Sequence, residues 1–283
     1  NARANIQAAK ERLTNVEFVE RSILPDQLST MYKASMELQG NTCLCPSLAY
    51  IIFYPLLISE RVPYVISGVE GAQNRNMVVN GFIPLNIYKA SKSRTLHNLI
   101  NLLRIIMLKS PYKEGQLATV TYLKQLAHSN DFINKLLRRV FKYRNEMVEH
   151  LCTVFNSVPE VLSPLAEALG KNDRAGNIPI LANIDFNSIS PGGIYDWDTI
   201  KRLLNKELGW QGTEQTGNDK GLHTSCIVEE GKDFSQFIRF RNMESMIIPF
   251  SAVELSTAVK SGNLSREQAL NELKRMPGFS LES

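Results

Sequence analysis

The sequence predicts an α/β protein built on a parallel sheet and enlarged by an all-helical block. Three observations lead there. Helix, strand, helix and strand patterns follow one another in order, as parallel sheets require. The run VPYVISGVEGAQ, Val62 to Gln73, is short and β-branched and ends at Gly68, the pattern of a buried strand. From Thr95 to Gly170 no strand pattern occurs, and helical spacing fills the interval.

Each element has a local reason. NARANIQAAKERL places Ile6, Ala9 and Leu13 on one face of an opening helix. VEFVERSI, Val16 to Ile23, follows as a β-type run. Asp26 is placed to cap the next helix, with Leu28, Met31, Tyr32 and Met36 on its apolar face and Gly40 and Asn41 at its end. In NTCLCPSLAYIIFYPLLI, Pro46 suits the first turn of a helix, so the cysteines sit in a turn that runs into a buried helix. The helical block carries TLHNLINLLRIIMLK, ATVTYLKQLA, DFINKLLRRVFKYRNEMVEHLCTVF and PEVLSPLAEAL. Lys171 to Asn177 is the clearest linker, and IPILANIDF reads as a returning strand. In YDWDTIKRLLNKELGW, Asp196 or Asp198 stands near the cap. Ile200, Leu203, Leu204 and Leu208 form a stripe, and Gly209 is the stop. Ser265 and Gln268 have capping-box spacing.

Composition narrows the function classes. The chain has 283 residues, 43% hydrophobic and 21% charged, enough to fill a sizeable core. Net charge is only +4, which excludes an arm built to coat nucleic acid. Four cysteines are too few for a disulfide scaffold at this length. No apolar run approaches the roughly 20 residues of a membrane span; the richest, Leu48 to Ile58, contains Pro55. The first residue is Asn1 rather than Met, so a segment upstream is expected.

Four constellations could carry chemistry. Cys43 and Cys45 form a C-x-C before a helix, and His223 and Cys226 stand far downstream. A helix N-terminus favours thiolate, the form that binds zinc or an iron–sulfur centre; the plainer alternative is small buried hydrophobes. Cys152 lies in a helical stripe and reads as core. The strand end SGVEGAQNR could hold a nucleotide or substrate, with backbone N–H groups near Gly68 and Gly71 free to approach an anion and Glu70 facing a ribose or metal. An ordinary strand-to-loop turn is the alternative. SPGGIYD has paired glycines before a helix, but Pro191 removes one N–H and no Walker lysine follows. Lys135 to Arg144 is basic with Phe141 and Tyr143; it could touch RNA or form a solvated helix face.

The C-terminal third resembles the N-acetyl sugar amidotransferase family of PP-loop, or N-type, ATP pyrophosphatases. The residues that carry the likeness come in order. They are Tyr195 and Asp196 before a helix ending at Leu208 to Trp210, then His223 and Cys226, then the helix from Ser265 to Ala269. The N-terminal helix, strand, helix and cysteine pair are similar to the family's, although its pair is C-x-x-C. VISGVE resembles the Gly-Glu that ends a strand beside the nucleotide. The likeness skips the block from Ser93 to Asn177. It implies an adenine nucleotide α-hydrolase-like sheet, ATP with Mg²⁺, and adenylation of an acceptor oxygen. It also implies nucleotide contacts at Ser67, Gly68 and Glu70, and an iron–sulfur cluster or Zn on Cys43, Cys45 and Cys226 with His223 near. The family's Ser-Gly-Gly-x-Asp-Ser phosphate motif belongs before the first helix; it does not occur in these residues and is expected upstream.

The expected organisation is an N-terminal core part over 1–93, a helical insertion or subdomain over 94–176, and a C-terminal core part with a helical tail over 177–283. The expected function is ATP-dependent adenylation of a small acceptor, a sugar, nucleotide or similar, with pyrophosphate release. Transfer of nitrogen or sulfur then follows. The alternatives are a catalytically inactive nucleotide- or partner-binding module and an RNA thiolation enzyme. Expected partners are the small-molecule acceptor, an ammonia- or sulfur-donating protein and a second copy as a homodimer, not nucleic acid or membrane. A cytoplasmic location is expected.

Overall fold

The structure is a computed structural model. It describes residues 2–38, 44–66, 93–106, 111–113, 116–127, 146–172, 177–182, 184, 186–193, 196–211 and 227–275. Among these, helices dominate and the strands are two. The chain forms two compact units. One comprises Asn1–Ser22, Ile184–Glu244 and Pro249–Ser283; the other comprises Ile23–Asn183 and Ser245–Ile248.

The second unit holds the helices α2 (Pro25–Glu37), α3 (Cys45–Ser59), α4 (Arg94–Ile106), α5 (Gln116–Ala127), α6 (Glu146–Asn156) and α7 (Pro159–Asn172). It also holds β1 (Tyr64–Ile66) and β2 (Ile180–Ala182), which pair in parallel. Its centre is α3. That helix is apolar nearly all round, and such a helix has to be buried. Ile51, Tyr54 and Ile58 are each at most 2% exposed. Helix α7 packs on α3, α5 and α6, while α5 also meets α6 and β2, and α2 lies on α6. Leu123, Leu126, Leu151, Phe155 and Leu165 fill the space between them.

Helix α2 starts differently from the expectation. Leu24 is the N-cap residue with no side-chain cap, and Pro25 takes the first position. Asp26 lies inside the first turn, where it complements the helix dipole instead of capping it. The β-type run from Val16 to Ile23 forms no strand. Val16 and Val19 are exposed there, so the pattern finds no sheet to cover it. Lys10 pairs with Glu20 and holds the Glu20 carboxyl below the usual carboxylate range.

The first unit holds α1 (Ala2–Arg12), the short helix α8 (Phe186–Ile189), α9 (Trp197–Leu208), α10 (Ile227–Arg241), α11 (Phe250–Lys260) and α12 (Arg266–Arg275). Helix α1 is tied to the end of α9. Asn5 donates from Nδ2 to the Gln211 carbonyl and accepts the Gln211 N–H, both at 2.9 Å. Arg12 donates to the Lys206 carbonyl at 3.3 Å, placing a cation at the negative end of α9. Asp196 caps α9 by accepting the Thr199 N–H at 3.0 Å. Between α10 and α11, the Ser251 hydroxyl donates to Asp233 and the Phe250 N–H donates to Gln236 at 2.9 Å. Helix α12 opens on the reciprocal capping box read from the sequence. The Gln268 N–H donates to Ser265 Oγ at 3.1 Å, and the Ser265 N–H donates to Gln268 Oε1 at 2.8 Å.

Four helices end in the same left-handed turn, with a backbone N–H reaching back over the last turn. Gly209 (φ 66°) and Gly262 (φ 79°) use the residue suited to it. Arg61 (φ 54°) and Met243 (φ 58°) close α3 and α10 with side chains that conformation disfavours. After Met243, the Glu244 N–H donates to the Arg239 carbonyl at 2.8 Å, so the turn is complete despite the strain. Replacing Met243 with Gly should therefore raise stability by about 1 kcal/mol. The check is urea unfolding: the midpoint should rise with the slope unchanged.

Candidate functional site

The strands supply the frame for the nucleotide reading. Tyr64 pairs with Ile180, Val65 with Leu181 and Ile66 with Ala182, so both strands finish at the same level. Ser67, Gly68 and Glu70 follow β1 directly in the chain, and all three lie outside the described residues. Strand β1 is less buried than its β-branched composition predicts. Tyr64 is 62% and Ile66 66% exposed, and alternate residues share one face. Among the described elements, α5 packs on β2.

Gln116 anchors β2. It is the first residue of α5 and is 1% exposed. Its Nε2 donates to the Ile178 carbonyl, two residues before β2. Its Oε1 accepts the Lys113 N–H at 2.7 Å. The Ile180 N–H donates to the Pro63 carbonyl at 3.0 Å, which sets the strand register. A buried amide satisfied on both sides costs little to bury and fixes its neighbours.

The cysteine turn leads into α3. Cys45 is the first residue of that helix and Pro46 the second, as the sequence suggests. Cys43, His223 and Cys226 lie outside the described residues. Among the described residues no group of three or more His, Cys, Asp or Glu could hold a metal ion. Cys152 is core, as read: it is buried, and its thiol faces the Gln125 carbonyl at 3.7 Å.

Behind the start of α3 lies a polar-aromatic cluster that sequence reasoning missed. Ser47, 2% exposed, shares a 2.7 Å hydrogen bond with the Tyr122 hydroxyl of α5. Tyr50 stacks on Tyr54 with centroids 5.4 Å apart and meets Tyr122 edge-on at 5.4 Å. Burial pushes the Tyr54 and Tyr122 hydroxyls far above the ordinary tyrosine range, so both stay protonated. The only sequence signal was two tyrosines four residues apart in an otherwise apolar helix. Nothing local points to Tyr122, which lies 75 residues from Ser47.

The paired glycines of SPGG lie in a short turn, Pro191–Gly193, that leaves helical geometry at Gly192, and the Gly193 N–H donates to the Ser190 carbonyl at 3.0 Å. Both have φ 74°, a conformation that glycine adopts at no steric cost. The basic run Lys135 to Arg144 lies outside the described residues. Among the described residues no helix is long and apolar enough to cross a membrane.

The cluster makes a stability prediction. Tyr122→Phe should cost about 1–2 kcal/mol, because it leaves the buried Ser47 hydroxyl unsatisfied. Ser47→Ala should cost a similar amount, and the double variant less than the sum. A double-mutant cycle in urea reads this coupling; strict additivity would show that the bond carries no stability. Compared with known protein families, curated proteins and solved structures, the chain matches none of them.

Proposed function

We propose that the chain belongs to an ATP pyrophosphatase-type transferase that adenylates a small acceptor. The observation that carries this reading is the parallel pairing of β1 and β2. In parallel sheets ligands sit beyond the carboxyl ends of the strands. Here those ends are Ile66 and Ala182, and Ser67, Gly68 and Glu70 continue the chain from the first of them. In this reading the acceptor oxygen attacks the α-phosphorus of ATP and pyrophosphate leaves. A nitrogen or sulfur nucleophile then breaks the carbon–oxygen bond and AMP leaves. Mg²⁺ would neutralise charge on the departing pyrophosphate. Backbone N–H groups near Gly68 would face the nucleotide, and Glu70 would take its ribose or the metal.

Titration of the chain with Mg-ATP should show binding, and Glu70→Ala together with Ser67→Ala should weaken it at least about tenfold. Release of pyrophosphate with a sugar or nucleotide acceptor is the decisive assay. No acceptor-dependent release across those classes would sink the transferase reading. A second reading rests on a specific feature: the Ser-Gly-Gly-x-Asp-Ser motif does not occur in the 283 residues. Without that cradle, catalysis loses its main electrostatic stabilisation. ATP binding with no pyrophosphate release would favour a nucleotide-binding module.

The cysteines support a separate metal proposal. Cys45 opens α3, and thiolate sulfur is the donor that soft metals prefer. With Cys43 and Cys226 it would hold zinc or an iron–sulfur cluster. Elemental analysis of protein prepared without oxygen should find zinc or iron. Substituting Ser for Cys43, Cys45 or Cys226 should lower that content; unchanged content in all three would remove the idea.

A further inference from the structure

Helix α4 is turned the wrong way round for a helix covered only by its own unit. Ordinarily the apolar side faces inward and the polar side faces water. Here the polar residues hold the inside. Asn101 donates to the Tyr112 carbonyl at 2.8 Å and accepts the Tyr112 N–H at 2.7 Å. Arg104 is 9% exposed, and its guanidinium lies 3.5 Å over the Tyr112 ring. These contacts fix the rotation of the helix about its axis. The outside is left to Leu96, Leu99, Leu102, Leu103, Ile105 and Ile106, each between 44% and 67% exposed.

Leu96, Leu99, Leu103 and Ile106 follow a three-four-three spacing, the seam of paired helices. The six side chains together expose on the order of 600 Å² of apolar surface, at the upper end of what a lone chain shows. A standard interface buries about 800 Å² per partner, somewhat over half of it apolar. One helix face thus supplies the apolar area one side of such an interface needs.

Charge selects the occupant. The polar side chains on that side, Thr95 and Asn98, are neutral. The one cation in the second half of α4, Arg104, is withdrawn onto Tyr112. In a two-fold interface each patch meets itself, so a charged face would repel its copy and a neutral one does not. A partner chosen by charge would find nothing to read here. Helices that lie on membranes carry several exposed cations on the polar face; on α4 Arg104 is buried and Arg94, at the first position, is the one exposed arginine.

We propose that α4 is the dimerisation helix of this protein, pairing its Leu96–Ile106 face with the same face of a second copy. The proposal is independent of the nucleotide and metal readings. Sedimentation of the 283-residue chain should show a dimer at micromolar concentrations. Leu99→Glu with Leu103→Glu should make it monomeric with an unchanged helical circular dichroism spectrum. Leu203→Glu, on the exposed part of α9, should leave the dimer intact. Hydrogen exchange on the wild-type chain needs no variant: α4 amides should become at least about tenfold better protected as dimer replaces monomer. A wild-type monomer throughout, a folded double variant that remains dimeric, or α4 exchange independent of concentration would each overturn the proposal. So would a monomer that co-sediments with phosphatidylcholine–phosphatidylserine vesicles through Leu99 and Leu103, since it would make the face a membrane contact.

Discussion

Burial of α3 is the constraint on which the second unit depends. A helix of this composition is stable in water only when it is covered on nearly every side. The cover comes from α7, with α5 joined through the Tyr50–Tyr122 contact and the Ser47 hydrogen bond. Both features proposed for function hang from its ends. Cys45 opens the helix, and β1 begins five residues after its last residue, Ser59. Fifteen residues make a rod of about 22 Å. A three-residue strand spans only about 10 Å. The two proposals rest on opposite ends of this segment, and metal content and nucleotide binding are read by separate experiments.

Features written in a few neighbouring residues were legible in the sequence. Asp196 caps α9, Gly209 ends it, and Ser265 with Gln268 forms the capping box, because each is settled within one helical turn. The returning strand was legible at Ile180–Ala182, since its apolar run sits between a linker and a polar stretch. The run Val16 to Ile23 was misread because β propensity describes a surface that fits a sheet and cannot create one. Asp26 was misread because Pro25 needs no cap for its missing N–H and occupies the first position itself.

Other features were invisible for a different reason. The spacing of α4 groups its apolar residues on one side, and Asn101 and Arg104, by engaging Tyr112, turn the opposite side inward. Periodicity records which residues share a side, not which side meets the core. The Ser47–Tyr122 bond likewise joins residues no local pattern connects. Of the candidate site, the order of elements was legible: a cysteine, then α3, then β1 running toward Ser67. The residues that brace those elements, Gln116 and Tyr122, were not, because their roles exist only after the helices have packed.

The position of the helical block follows from the same packing. Two parallel strands cannot be joined by a tight turn, so the chain between them must cross over the sheet. Between β1 and β2 the crossover contains α4, α5, α6 and α7. Helix α7 rests on α3, which precedes β1, and α5 rests on β2. Gln116 fastens α5 to the residue that leads into β2. The block thus holds the second strand beside the first, and its contacts set the level at which Ile66 and Ala182 end together. A change within the block could therefore alter a ligand at the strand ends without touching it, by shifting β2 against β1. Coupling of this kind needs no special pathway: α5 touches β2 directly, and α7 ties α5 to α3, the helix that leads into β1.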